Sequence, residues 1–241
     1  MYGSETETHF ACERFVMKIL AVDTSARSCG VAIADKKTLL AELINEAGET
    51  HSKHLMDMIK RAFEISCLKP FDMDGFSVTK GPGSFTGLRI GISSVKGLAA
   101  ATGKPVAGIS TLDALAAQVP GTSYLICAMI DARKGEVYSS RYRFVGGFVK
   151  KESKEENFLP EKAIEGINEP CLFTGDGAHA YRKIIEDKIG GYSHFLPDAF
   201  NIIKASTVAF IGMKKFEDND MEDAGMLVPF YIRKSDVKKK A

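Results

Sequence analysis

Lys18-Ile19-Leu20-Ala21-Val22-Asp23-Thr24-Ser25 is a short apolar run that ends in an acid and two hydroxyls. A continuous apolar run of this length reads as a buried strand. The pattern returns in the second half, where residues 124–130 form an apolar strand ending in Asp131-Ala132-Arg133. After the first strand, two more are expected at 30–34 and 38–44. Turn signals at Ser28-Cys29-Gly30 and Asp35-Lys36-Lys37 separate them, so the chain opens as an antiparallel meander. Apolar residues at helical spacing predict a helix over 53–66, with Ser52 as its N-cap. A strand at 75–79 then runs into Gly81-Pro82-Gly83-Ser84 and a long helix over 85–101, followed by a strand at 106–109 and a short helix at 111–118.

The second half follows the same plan. A strand at 135–144 turns at Gly146-Gly147 into a third strand. Residues 150–156 read as a charged loop and the most tolerant place for an insertion. A strand at 171–174 meets the glycine loop Gly175-Asp176-Gly177, and helices follow at 178–189 and 205–216. Each half is therefore β-β-β-α-β-α, and a repeat of this kind outranks other fold evidence. The expectation is an α/β fold of two similar subdomains facing each other across a cleft. A single doubly wound sheet would alternate strand and helix from the start, which the opening meander does not. The divisions read as a leader at 1–16, an N-terminal subdomain at 17–110, a C-terminal subdomain at 111–216 and a tail at 217–241.

The 241 residues carry 32 Lys plus Arg against 31 Asp plus Glu, a formal charge of +1. That balance excludes a strongly basic nucleic-acid binder, so any contact with nucleic acid must be local or made through a partner. No apolar run approaches the roughly 18 residues of a membrane span. Cys12, Cys29, Cys67, Cys127 and Cys171 are scattered without a C-x-x-C, which argues against a disulfide scaffold and a structural zinc site and for a reducing cytoplasm. Residues 1–16 lack the basic and apolar regions of a signal peptide. Lys234, Lys238, Lys239 and Lys240 read as a solvated tail.

Two features carry candidate chemistry. Asp23, Thr24 and Ser25 at a strand end, with Gly81, Gly83 and Ser84 at a helix start, are groups that suit a metal-bound phosphate. They could equally do no more than satisfy their own turns. No Gly-Lys-Ser/Thr follows the glycines, so this is not a Walker loop. The second feature is a face. Gly83, Gly87 and Gly91 are spaced by four, and Ser94 and Val95 continue their stripe. Helix glycine costs about 0.5–1 kcal/mol against alanine, so three together require a reason, and close packing of a second helix supplies one. The wide apolar arc of the 53–66 helix makes a partner protein a credible neighbour. The candidate interface is Leu55, Met56, Ile59, Phe63, Phe85, Gly87, Leu88, Gly91 and Val95. Arg89 is read as snorkelling or paired with an acid, not as catalytic. His51 and His54 lack a companion ligand, so no metal site is expected. Asp131, Arg133 and Glu136 either face the cleft or form a turn with a salt bridge.

Three strings together resemble the bacterial TsaB (YeaZ) family: residues 19–25, then Lys80-Gly81-Pro82-Gly83-Ser84-Phe85-Thr86-Gly87-Leu88-Arg89-Ile90-Gly91, then Ile130-Asp131-Ala132-Arg133-Lys134-Gly135-Glu136-Val137-Tyr138. The likeness spans about 17–233. It implies the duplicated fold of actin, sugar kinases and Hsp70, and a role in forming threonylcarbamoyladenosine beside the tRNA anticodon. In that system TsaD transfers the threonylcarbamoyl group, TsaE is an ATPase and TsaB is a needed partner. TsaD-like paralogues carry an H-x-x-x-H metal pair after the strand that follows the glycine helix. Here Thr111 and Leu115 stand at those places, and neither is a useful metal ligand. The resemblance thus implies a non-catalytic scaffold that binds TsaD, with TsaE, through a four-helix contact of about 1,600 Å². It implies a homodimer through the same face when TsaD is absent, contact with tRNA only through the complex, and no membrane. No cofactor or metal of its own is expected, beyond a weak ATP or ADP contact at the shared interface. The competing expectation is an ATP-binding transferase or glycoprotease-like metalloenzyme in its own right.

Overall fold

A computed structural model describes residues 16–46, 51–119 and 121–233. Residues 1–15 of the expected leader and the Lys234–Lys240 stretch lie outside the described residues, as does the capping side chain of Ser52. The first half is β1 (Lys18–Asp23), β2 (Cys29–Asp35), β3 (Leu39–Asn45), α1 (His51–Ser66), β4 (Gly75–Gly81), α2 (Phe85–Thr102), β5 (Val106–Ser110) and α3 (Thr111–Ala117). The second half is β6 (Leu125–Arg133), β7 (Glu136–Val145), β8 (Phe148–Lys151), β9 (Glu156–Phe158), α4 (Pro160–Ala163), β10 (Cys171–Thr174), α5 (Asp176–Ala180), α6 (Arg182–Ile189), β11 (Ser193–Phe195) and α7 (Ala205–Glu217).

The two sheets have one plan. The first runs β3-β2-β1-β4-β5 and the second β8-β7-β6-β10-β11, with β9 added beside β7. In the first, β1 is antiparallel to β2 and parallel to β4, and β4 is parallel to β5. In the second, β6 is antiparallel to β7 and parallel to β10, and β10 is parallel to β11. Order and polarity agree strand for strand, as the internal echo requires.

The continuous apolar run of β1 has a structural reason: both faces of the strand are covered. Leu20 and Val22 join a core with Leu55, Ile59, Phe63 and Ile92, beneath α1 and α2. Ile19 and Ala21 join a second core, with Leu112 and Leu115 of α3, Val208 and Met213 of α7, and Ile126, Ala128 and Ile130 of β6. The two sheets thus share an apolar core. The helix over 205–216, which the sequence reading assigned to the second half, lies on the first sheet against β1, β2, β4 and β5. Reciprocally, α3 packs on β6, β7 and β8 as well as on β4 and β5. Periodicity shows that a helix has an apolar face; it does not show which sheet covers it.

Local rules set the ends of α2. The Ser84 hydroxyl accepts from the Gly87 N–H at the start, and Gly103 at φ +70° closes the end with its N–H on the Ala99 carbonyl. The helix expected over 178–189 is broken at Tyr181 into α5 and α6. No helix among the described residues is long and apolar enough to cross a membrane.

Candidate functional site

The turn at 23–25 and the loop at 81–84 are brought together, as the sequence suggested, and their polar groups engage one another. Asp23 is fully buried. Its Oδ1 accepts from the Ser25 hydroxyl at 2.6 Å, the Ser25 N–H at 3.2 Å and the Thr79 hydroxyl at 2.7 Å. The Ser84 N–H donates to the Ser25 carbonyl at 2.7 Å. The Thr24 hydroxyl donates to the Gly87 carbonyl at 2.8 Å. These bonds tie the turn after β1 to the start of α2.

The second half repeats the device. The Asp131 N–H donates to Asp176 Oδ1 at 3.0 Å, and Asp131 Oδ1 accepts from the Arg133 N–H at 2.8 Å. The Arg133 guanidinium lies 3.5 Å from the Asp131 carboxylate, a salt-bridged turn, one of the two arrangements that the sequence left open. Burial pushes the Asp176 carboxyl above the ordinary range, opposed by the backbone N–H of Asp131.

Thr111 and Leu115 are buried, and among the described residues no three His, Cys, Asp or Glu side chains converge. Beside them lies a polar cluster that sequence reasoning missed. The Lys151 ammonium sits 2.8 Å from Asp113 Oδ1 and 2.5 Å from Glu155 Oε1. The Ser110 hydroxyl donates to Glu155 at 2.6 Å, and the Tyr142 hydroxyl donates to Asp113 at 2.9 Å. Burial alone would lower the Lys151 pKa, but its bonds to Asp113 and Glu155 outweigh that and raise it. The segment 150–156, read as a charged loop tolerant of insertion, is therefore anchored to the N-terminal turn of α3. The available signal was the lone acid, Asp113, on an otherwise apolar short helix.

The candidate interface needs redrawing residue by residue. Leu55, Ile59, Phe63, Gly87, Leu88, Gly91 and Val95 are buried in the chain's own core. The glycine stripe faces inward: a β-carbon on Gly91 would overlap the Thr24 hydroxyl and stand 3.4 Å from Val78. Met56, at 54% exposure, and the half-buried Phe85 reach the surface. Between α1 and α2 runs an open groove of about 350 Å³ lined by Leu55, Met56, Arg89, Ile90, Ser93 and Ser94.

The segment after α7, expected to be tail, forms an ordered strap over 222–233. Glu222 donates its N–H to the Val106 carbonyl at 2.9 Å, and its carboxylate meets Lys80 at 2.7 Å. Lys96 on α2 donates to the carbonyls of Gly225 and Leu227 at 3.0 and 3.3 Å. The Phe230 N–H donates to the Lys80 carbonyl at 2.6 Å. Gly81, at φ +118°, leaves room for the Phe230 carbonyl, which a β-carbon would strike. Tyr231 stacks on Phe85 at 4.7 Å, and the Arg89 guanidinium lies 3.8 Å from the centre of the Phe85 ring. Arg89 donates to the Tyr231 hydroxyl at 3.2 Å. Arg233 ends the strap on the second half, at 2.7 Å from Glu136 and 3.0 Å from the Ala132 carbonyl.

Comparison with known proteins places this geometry. The family model described as TsaD, tRNA N6-adenosine threonylcarbamoyltransferase, matches residues 44–241. The tRNA threonylcarbamoyladenosine biosynthesis protein TsaB of Bacillus subtilis is 32% identical over 227 residues, covering 93% of this chain and 97% of that protein. The protein of the same name from Escherichia coli is 35% identical over 171 residues, covering 68% of this chain and 74% of its own length. Among solved structures, YeaZ from Pseudomonas aeruginosa superposes with a TM-score of 0.77 at 24% identity, covering 89% of this chain and 99% of that one. That likeness speaks for the fold.

Proposed function

Since the chain belongs to the TsaB (YeaZ) family, related to but distinct from TsaD, we propose that it is the non-catalytic scaffold subunit of the tRNA threonylcarbamoyladenosine system. It binds TsaD directly and acts with TsaE, and it reaches tRNA through that complex. The observation that carries the reading is the pair Thr111 and Leu115. Both are buried where the paralogous transferase would place its metal-binding histidines, and a leucine there cannot ligate a metal. An enzyme-like fold does not entail an activity, which resides in site residues.

The TsaD contact is assigned to the outer surface of α1 and α2, centred on the groove beside Met56 and Arg89. In the absence of TsaD the same surface pairs two copies of this chain. The polar groups of 23–25 and 81–84 are engaged with one another, which fits a subunit with no tightly held nucleotide of its own.

Reconstituted tRNA modification tests the reading. With TsaD, TsaE, tRNA and the substrates present, omission of this chain should reduce product to background, and its addition should restore it. Modification by this chain alone, with ATP and Mg²⁺, would overturn the proposal in favour of a transferase.

A further inference from the structure

Four consecutive residues at the end of the strap grip four different places. The Phe230 N–H donates to the Lys80 carbonyl at the end of β4. The Tyr231 ring stacks on Phe85 and its hydroxyl accepts from Arg89, which itself lies over the Phe85 ring at the start of α2. Ile232 packs against the core that the two sheets share. Arg233 donates to the Glu136 carboxylate and to the Ala132 carbonyl, on either side of the turn that joins β6 to β7. Hydrogen bonds from Asn157 and from Arg233 hold the Glu136 carboxyl below its ordinary range, so this last grip is an ion pair at neutral pH. Four residues reach about 14 Å at most, so the grips on α2 and on the turn cannot draw apart beyond that while both hold.

We propose that residues 230–233 are a tie that couples the start of α2 to the β6–β7 turn, so that loosening either end loosens the other. Surface segments ordinarily open one at a time, each at its own low cost. Here the two gripped ends belong to different halves of the fold, since β4 and β5 are in the first sheet and β6 and β7 in the second. Ile232 sits between the grips on the apolar core common to both sheets. Once Arg233 lets go, Ile232 is held from one side only, and Tyr231 is free to leave the Phe85 ring without straining its neighbours. Arg89 then loses the hydroxyl that fixes its Nε. Arg89 also lines the groove between α1 and α2. The tie thus carries the state of a turn in the second half to the rim of a groove in the first, whatever occupies that groove.

Hydrogen exchange of the full chain, read amide by amide, tests the coupling. The forms are the unaltered protein, Arg233→Gln, Glu136→Gln, Arg89→Ala and, as a control, Arg143→Gln. Arg143 is as exposed as Arg233 and also holds carboxylates, Glu152 and Glu169, but lies off the tie. In Arg233→Gln and Glu136→Gln, the amides of Gly87 and Leu88, both bonded to Ser84, should exchange at least 10-fold faster, while those of α7 keep their rates. A tie pulls both ways, so Arg89→Ala should speed the amides of Arg133 and Glu136, which pair across the far turn. Arg143→Gln should leave Gly87 and Leu88 as they are. The proposal is overturned if the first two variants quicken only residues 132–136 and 230–233, or if Arg89→Ala leaves the far turn unchanged. A rise spread evenly through α7, or one that Arg143→Gln matches, overturns it as well, because the pair then serves general stability alone.

Discussion

The Thr24 hydroxyl occupies the space that a side chain on Gly91 would need, while it donates to the Gly87 carbonyl one turn earlier. One hydroxyl thus seats α2 on the end of β1. Gly91→Ala should therefore destabilise the protein, although alanine is the better helix former. Overpacking costs about 1–3 kcal/mol and the propensity gain returns at most about 1, so a net loss of roughly 1–2 is expected in urea unfolding. In a Thr24→Ala background the same change should cost much less, because the overlapping atom is gone.

Gly87 and Met56 should behave oppositely. The sequence reading puts Gly87 in the candidate interface. Gly87 is in fact buried, with its carbonyl bonded to Thr24. Gly87→Glu introduces an unpaired buried charge, and a loss of about 3 kcal/mol or more follows. Met56→Asp should leave the unfolding midpoint where it is.

Lys151→Ala should loosen the join between β8 and α3. It leaves Asp113 and Glu155 facing each other without their cation. Breaking a fully buried pair costs about 3–5 kcal/mol. Lys151 is about a third exposed, so screening reduces the expectation to roughly 1–2. Lys151→Arg should recover part of it. Thermal unfolding of the three forms checks the order.

Thiol reactivity should single out Cys67, which is exposed, against the buried Cys29, Cys127 and Cys171. In a Cys12→Ser background, one thiol should react fast at pH 8 and three only as the protein opens. Cys29 also sets a pH trend. Burial, helped by the charge of Asp23, pushes its pKa up to about 12. The folded state then holds a proton that the unfolded thiol sheds near 9. Its contribution is intact below about pH 9 and falls as pH rises toward 12. Cys29→Ala should flatten that part of the stability profile.

The duplication was legible because β1 and β6 are each short, apolar and closed by an acid, and the sheet orders agree with that echo. The bounds of α2 were legible because Ser84 and Gly103 act locally. The direction of the glycine stripe was not. Spacing shows that Gly87 and Gly91 share a side, and a turn more than 60 residues upstream fills that side as well as a partner helix would. The strap was equally opaque. Residues 222–233 have no periodicity, and their bonds go to Lys80, Lys96 and Val106, more than 100 residues away. The charges of 150–156 looked solvated for the same reason: their partner Asp113 is distant in sequence.

The crossed placement of α3 and α7 bears on autonomy. The first sheet has one face completed by a helix from the far end of the chain, and the second is partly covered by a helix that follows β5. A fragment ending at residue 110 would leave Ile19, Ala21 and Ile109 open to water, a surface that aggregates rather than folds. Two copies of one unit that share helices in this way should unfold together, and a single calorimetric transition of the whole chain would check it.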